Sequence, residues 1–424
     1  MGRDILLITH FYPPSDMVAA RRPAGLAKYL ERLGHRATIL TSRAWGRSDV
    51  AGEPATTVLR TADLMDSALN WRRGQLRAWT GSDGSIAADY DAGVSWPARV
   101  VVPDVAALTW APFVLGAALR LVRGRRFDAV LTTSGPESLH LVGLALARRG
   151  LPWVADFRDG WGFESLRDWP TSPQWALDRW LERQVVNRAD GVCAVTEPIA
   201  ADMRERFGVD AWTITNGYDP EDPALADAPS FRPEPGVHRV LHSGRMGSSE
   251  HDPGPVVEAL RLLDRDSPRL AATVRLSFAG PLTAGERELL TAPDVADRVE
   301  LLGTLPRPEV LARQRAADSL LLLTSGKRLS VATGKLYEYL HAGRPVLVLG
   351  ESTEAARIVG EAGAGIAVPV DDPAAIARAL ERIVAGEVAP TSAPEQYGYP
   401  AIAARLAELF EVAIERFGQR SSKE

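Results

Sequence analysis

Lysine is scarce in this chain: of 49 Lys+Arg only four are lysines, at positions 28, 327, 335 and 423. Two of the four lie in one stretch, residues 320–350, which reads LLLLTSGKRLSVATGKLYEYLHAGRPVLVLG. The pattern is an apolar strand (320–323), a polar loop, a helix opening at Thr333 and Gly334 that carries Lys335 and Glu338, and a second apolar strand (345–349). In a strand-loop-helix-strand unit the helix start gathers unpaired backbone N–H groups and the positive end of the helix dipole, so phosphate is the expected guest. Where arginine is otherwise the default cation, two compact ammonium groups beside such a helix start point to neutralisation of phosphate oxygens. Two solvated surface lysines are the competing reading.

A second set of chemically capable residues lies in the first half. The strand at 5–9 runs into a loop, 10–17, bearing His10, Tyr12 and Asp16, and the helix at about 20–33 opens with Arg21 and Arg22. Further strands at 129–133, 152–155, 192–195 and 212–215 alternate with helices near 137–148 and 174–187. The loops after them carry Ser134 in TSGPES and Asp156, Arg158 and Asp159 in DFRDGW. In an open parallel sheet all these loops converge on the carboxyl ends of the strands, where ligands bind. The bland alternatives are that Arg21 and Arg22 form a solvated first turn and that Asp156, Arg158 and Asp159 only cap the segment that follows. The loop after the first strand holds two prolines and no glycine, which argues against the G-x-G-x-x-G cradle of NAD or FAD.

The elements that must position these residues fall into two series. A chain of 424 residues exceeds what one core usually serves, so two domains are expected. Residues 219–236, rich in proline and without periodicity, read as the linker, and a second βα series begins at 239. A helix at 400–417 closes the chain with Ile402, Leu406, Leu409, Phe410 and Ala413 as one apolar stripe that must dock on something. Residues 44–103 carry Trp71, Trp79 and Trp96 without a regular pattern, and an irregular stretch of that length is expected to form a lid or pocket wall. The apolar segment 105–121 reads as a buried or membrane-brushing helix, with burial the commoner case.

Composition narrows the class. A net charge of −5 and a pI near 5.9 give no electrostatic footprint for nucleic acid. The single cysteine, Cys193, lies in an apolar run and reads as a buried strand residue; it allows no internal disulfide and suits a reducing cytoplasm. The N-terminal apolar stretch is too short for a signal peptide, and the longest uncharged segment, 105–119, falls short of the roughly 18 residues of a spanning helix. At most peripheral membrane contact is expected.

The order FYPPS, TSGP, PWVADFRDGW, TNGYD, SGR and GKLYEYLHAGRPVLVLG resembles the GT-B glycosyltransferases, specifically the retaining family-four-like enzymes that use nucleotide sugars. The likeness covers nearly the whole chain outside 44–103, and GKLYEYLHAGRPVL is its most specific part. It implies two Rossmann-like, doubly wound α/β domains with an interdomain cleft: an acceptor-binding domain at 1–222, a donor-binding domain at 237–395, and a helix at 397–418 packing back on the first. Glu338 matches the glutamate that accepts hydrogen bonds from the donor ribose, a natural role for a carboxylate facing a vicinal diol. Arg245 matches the arginine that holds the donor diphosphate, with Lys327 and Lys335 opposite. Gly244, Ser330, Thr333, Gly334 and Leu336 complete the expected donor side. The chain departs from the pattern at Ser330, where the family's first glutamate contacts the sugar, and at His251, where many members carry a second phosphate lysine.

Asp156 falls near the slot where many relatives place a histidine facing the reacting carbon, so Asp156, Arg245 and Lys335 form the expected catalytic set. His10, Tyr12, Asp16, Arg21, Arg22, Ser134, Arg158 and Asp159 form the expected acceptor side. The resemblance implies transfer of a sugar from a nucleoside diphosphate with retention of configuration, the cations stabilising the departing charge. No Asp-x-Asp clamp stands at a strand end, so neither a metal nor another cofactor is expected. Two alternatives stand beside this reading. One is a related GT-B reaction such as an epimerase, a phosphorylase or a cyclitol-coupling enzyme; the other is a catalytically dead nucleotide-sugar binding protein, made conceivable by Ser330 and the missing histidine.

Overall fold

The computed structural model describes residues 2–15, 17–44, 57–65, 100–165, 167–231, 234–246, 253–324 and 328–422. Among these the chain divides into two compact units: one runs to Asn216 and resumes at Tyr399, and the other spans Gly217–Gly398.

The first unit is built on strands β1 (Asp4–Ile8), β2 (Arg36–Ser42), β3 (Thr57–Thr61), β4 (Ala129–Thr133), β5 (Trp153–Phe157), β6 (Gly191–Ala194) and β7 (Ala211–Thr213). They pair in parallel in the order β3-β2-β1-β4-β5-β6-β7. Successive residues of a strand point to opposite faces. Leu6, Ile8, Val130 and Ala155 therefore enter one core, while Ile5, Leu7, Ala129, Leu131 and Val154 enter the other. Helices α2 (Ala106–Thr109), α3 (Ala111–Gly124), α4 (Leu139–Ala147), α5 (Ser172–Arg188) and α6 (Glu197–Phe207) cover the first face. Helix α1 (Arg21–Arg32) and the terminal helix α14 (Tyr399–Ser421) cover the second.

Two expectations change here. β3 is a regular strand inside the stretch expected to be irregular, extending the sheet by pairing Thr57–Thr61 with Thr38–Ser42. The segment expected as one buried helix breaks at Trp110 (φ −133°) into α2 and α3. Helix α3 buries only Val114 and Ala118 fully, while Phe113 stays 37% exposed, so the segment is half-covered.

The second unit repeats the plan with β8 (His238–Ser243), β9 (Val274–Ala279), β10 (Val299–Gly303), β11 (Ser319–Leu323), β12 (Val346–Leu349) and β13 (Gly365–Val368). Their order is β10-β9-β8-β11-β12-β13, again all parallel. Leu321, Leu323, Leu347 and Leu349 pack under α7 (Gly254–Asp266), α9 (Ala284–Leu290) and α13 (Pro373–Val384), with the short α8 (Pro268–Ala271) beside α7. Leu320, Leu322, Val346 and Val348 pack on the other face under α11 (Gly334–Ala342) and α12 (Glu354–Glu361), with α10 (Arg307–Ala316) beside α11. The apolar runs noted in the sequence are strands buried on both faces, as parallel sheets require. Among the described residues no helix is long and apolar enough to cross a membrane.

Strand order reverses between β1 and β4 in the first sheet and between β8 and β11 in the second. Neighbouring loops leave in opposite directions at such a point and open a crevice at the carboxyl ends of the strands. The loops after β1, β4 and β8 carry His10 and Tyr12, Ser134, and Gly244 with Arg245, and α11, which carries Lys335 and Glu338, follows β11.

Candidate functional site

In the second unit β8 ends in a tight exit. Ser243 is held by Tyr339 and Gln314: its N–H donates to Tyr339 Oη at 2.8 Å, and its Oγ accepts from Gln314 Nε2 at 2.9 Å. Gly244 follows with φ +108°, a conformation that strongly favours glycine, and delivers the chain to the exposed Arg245. A side chain at Gly244 would collide with Lys335, since a Cβ there would lie 2.8 Å from Lys335 Cε and 3.0 Å from Nζ. The lysine of α11 thus lies across the glycine turn of β8. Its Nζ is 3.4 Å from Nε2 of His242, and Nδ1 of that histidine is 3.0 Å from the Leu321 carbonyl. A carbonyl only accepts, so Nδ1 carries the proton and the Nε2 lone pair faces the ammonium. Burial lowers the Lys335 pKa to about 8, against the opposing pull of Glu338.

Glu338 stands one turn further along α11. Its Oε1 accepts from Arg307 Nη1 at 2.7 Å, and Arg307 in turn donates through Nε to Asp222 at 3.0 Å. Arg307 is thereby a strut between the segment after β7 and the carboxylate expected to meet the ribose. Neither Arg307 nor His242 was expected from the sequence. The signal for His242 lay in the VLHSGR stretch, where a polar residue interrupts a buried strand.

The remaining donor-side residues divide by burial. Thr333 is exposed at the start of α11 with extended backbone, and no side chain caps that start. Gly334 is half-buried beside it. Ser330 is 3% exposed, and Leu336 is fully buried in the core, which confines Leu336 to a backbone contribution. Lys327 and His251, together with Asp16 of the first unit, lie outside the described residues.

In the first unit the structure corrects two expectations. Asp156 was expected to face a sugar and Arg22 an acceptor, but they face each other: Arg22 Nε and Nη2 donate to Asp156 Oδ2 and Oδ1 at 3.0 and 2.7 Å. Arg22 also donates to the carbonyls of Thr215 (2.5 Å) and Ile214 (2.9 Å). At 2% and 1% exposure neither is open to a ligand. The physical reason is burial, which would push the carboxyl up were it alone; the adjacent guanidinium outweighs it and holds Asp156 below the usual carboxylate range. Cys193 donates its S–H to the same carboxylate at 3.4 Å and is itself pushed well up by burial, an inert strand cysteine.

Ser134, Arg158 and His10 of the expected acceptor side are likewise bonded within the protein. Ser134 Oγ accepts from the Arg158 N–H at 2.8 Å, and Arg158 Nη1 donates to the Ala19 carbonyl at 3.0 Å. His10 Nε2 lies 2.8 Å from Asp63 Oδ2, which also accepts from Ser42 Oγ at 2.7 Å, and the His10 ring packs 4.5 Å from Trp110. Burial favours the neutral form of Asp63, but the hydrogen bonds from His10, Ser42 and the Met65 N–H outweigh it and lower its pKa. Tyr12 is 8% exposed within the core. Arg21 is half-buried and Asp159 exposed. Sequence reasoning missed Asp63 and Trp110, whose partners are distant in the chain. It also missed the ion pair of Glu137 with Arg167, in which burial raises the carboxyl to about 7 despite the arginine. Among the described residues no three His, Cys, Asp or Glu side chains come together to hold a metal.

A family model described as glycosyltransferase family 4 matches residues 19–222, and one described as glycosyl transferases group 1 matches residues 238–385. No curated protein sequence matches the chain. Among solved structures, a glycosyltransferase from Rickettsia africae ESF-5 aligns with TM-score 0.61 at 13% identity over 97% of this chain and 99% of that one. Sucrose-phosphate synthase from Thermosynechococcus elongatus aligns with TM-score 0.59 at 16% identity, covering 99% and 98%. An E. coli structure titled as trehalose-6-phosphate bound with UDP-2-fluoro glucose aligns with TM-score 0.55 at 14% identity, covering 97% and 96%. At these identities the structural likeness carries the fold alone. The two family models, matched in order over the stretches that build the two sheets, carry the rest: the chain belongs to the family-four-like GT-B glycosyltransferases.

Proposed function

We propose that this glycosyltransferase takes its sugar from a nucleoside diphosphate sugar bound at the β8–α11 junction and transfers it with retention of configuration, without a metal. The observation that supports this best is the meeting of a cation, a glycine turn and a helix start in one place: Lys335, in the first turn of α11, brings its Nζ within 3.0 Å of where a Cβ on Gly244 would sit. Departure of the diphosphate breaks the bond from the sugar's anomeric carbon and leaves the electron pair on a phosphate oxygen. Arg245, Lys335 and the backbone N–H groups of the α11 start are the groups assigned to that growing charge. A single preorganised donor of this kind contributes roughly 3–4 kcal/mol to a transition state. Glu338, with Oε1 held by Arg307, is assigned to the ribose hydroxyls.

On the acceptor side Arg21, Arg158 and Asp159 are the expected residues that keep some exposure, and the assignment rests on them. Asp156 and Arg22 support the loops from beneath.

The test is turnover of a panel of UDP, GDP, ADP and dTDP sugars followed by proton NMR, with and without EDTA. Release of nucleoside diphosphate with a product of unchanged anomeric configuration, undiminished by EDTA, is expected. An inverted product, or activity that needs Mg²⁺ or Mn²⁺, contradicts the mechanism while leaving the donor class standing.

A further inference from the structure

His242 is a fully buried polar residue that follows Val240 and Leu241 in β8, and core packing gives no reason for an imidazole there. Its two nitrogens are placed differently: Nδ1–H donates to the Leu321 carbonyl of the adjacent β11 at 3.0 Å, and Nε2 lies 3.4 Å from Lys335 Nζ. The ring also packs at a tilt 6.0 Å from Phe278 of β9. Three strands and one helix therefore fix the ring plane, the tautomer and the direction of the lone pair. That lone pair, together with the bare Cα of Gly244 against Lys335 Cε, leaves the flexible four-carbon stem of the lysine one favourable direction.

Resting on the donor reading above, we propose that His242 is a positioning residue for the donor diphosphate: it accepts a hydrogen bond from the Lys335 ammonium and holds that cation over the Gly244 turn. The imidazole touches the lysine and leaves the phosphate to it. Among the described residues the groups facing the ammonium are Glu338 on its own helix and His242 from β8, and Arg245 follows Gly244 in the chain. A neutral acceptor favours the charged form of the lysine, so losing it weakens the cation as well as freeing its direction. Because burial already sets the Lys335 pKa near 8, diphosphate binding then depends on pH in the neutral range.

The test is titration calorimetry on the full chain with UDP, GDP, ADP and dTDP and their parent nucleosides, between pH 6 and 9.5. His242→Asn keeps a donor for the Leu321 carbonyl and loses the atom that faces Lys335, whereas His242→Gln can return an acceptor oxygen to that position. We expect wild-type diphosphate affinity to fall as pH rises above about 8. In His242→Asn the diphosphate should bind about tenfold more weakly at pH 7, with the fall moved to lower pH. The nucleoside should bind unchanged, and His242→Gln should recover most of the loss. Wild-type affinity and pH profile in His242→Asn would overturn the proposal, as would equal loss of diphosphate and nucleoside. Wild-type protein that binds none of the four diphosphates fails the donor reading itself and takes this proposal with it, an outcome distinct from the other two.

Discussion

Arg22 donates two hydrogen bonds to Asp156 and two to backbone carbonyls, all in a region closed to solvent. Breaking a buried pair by removing one partner costs about 3–5 kcal/mol, because the remaining charge is left desolvated. Arg22→Leu should therefore lower the unfolding free energy by about that amount in urea titrations. The pH dependence has a definite sign. Asp156 is held below its ordinary pKa, so in the wild type its contribution is present above pH 4 and lost only as pH falls through the depressed folded value. Without Arg22, burial is opposed only by the weaker pulls of Thr133 and Arg158, and the Asp156 pKa rises. The unfolded state then carries fewer protons than the folded one, and the variant loses stability as pH rises from about 4 toward 7. A flat difference between the two proteins across that range would contradict the pairing. At the donor end, Arg307→Met should leave Glu338 unsteadied and weaken diphosphate and nucleoside by similar factors, roughly 10- to 100-fold for a charge-assisted hydrogen bond. Loss confined to the diphosphate would move Arg307 to the phosphate.

At the scale of elements, α1 meets α14 at a glycine. A Cβ on Gly25 would lie 2.5 Å from the Tyr399 ring, so Gly25→Ala must push the two helices apart and should destabilise by about 1–3 kcal/mol despite alanine's better helix propensity. Gly116 in α3 is the control: nothing lies nearer than 4.0 Å to a Cβ there, and Gly116→Ala should stabilise by about 0.5–1 kcal/mol. Thermal melts of both variants read the contrast directly. The strands of both sheets were legible in the sequence because a parallel sheet buried on both faces writes itself as short apolar runs, and Leu320–Leu323 is the plainest case. The edge strand β3 was not, since its half-exposed TVLRT lacks such a run and lies beside a long aperiodic stretch. The start of α11 was readable from its lysine and glycine, a local signal. The pairing of Asp156 with Arg22 and of His10 with Asp63 was hidden, because each joins residues far apart in sequence and a spacing rule sees only neighbours.

For the molecule as a whole, the first unit is discontinuous: α14 returns after Gly398 and places Ile402, Leu406, Leu409, Phe410 and Ala413, each at most 3% exposed, on the same core as β1, β4 and β5. Apolar burial stabilises by about 25 cal/mol per Å², and removing this helix uncovers the part of that sheet face that α1 does not cover. A chain ended at Gln396 should bind a hydrophobic dye, lose transfer activity and melt in its first unit at much lower temperature. It should also keep some nucleotide affinity in residues 217–396. Full activity in the shortened chain would contradict this account of the first unit.

The central claim is that the β8–α11 junction binds the diphosphate of a nucleotide sugar through Lys335. The most direct measurement is titration calorimetry of wild type and Lys335→Ala with the best-binding nucleoside diphosphate and with its parent nucleoside, at pH 7. Removing a charge-assisted contact of roughly 1.5–3 kcal/mol should weaken the diphosphate about 10- to 100-fold and leave the nucleoside within about twofold. Equal weakening of both ligands, or none of either, would contradict it.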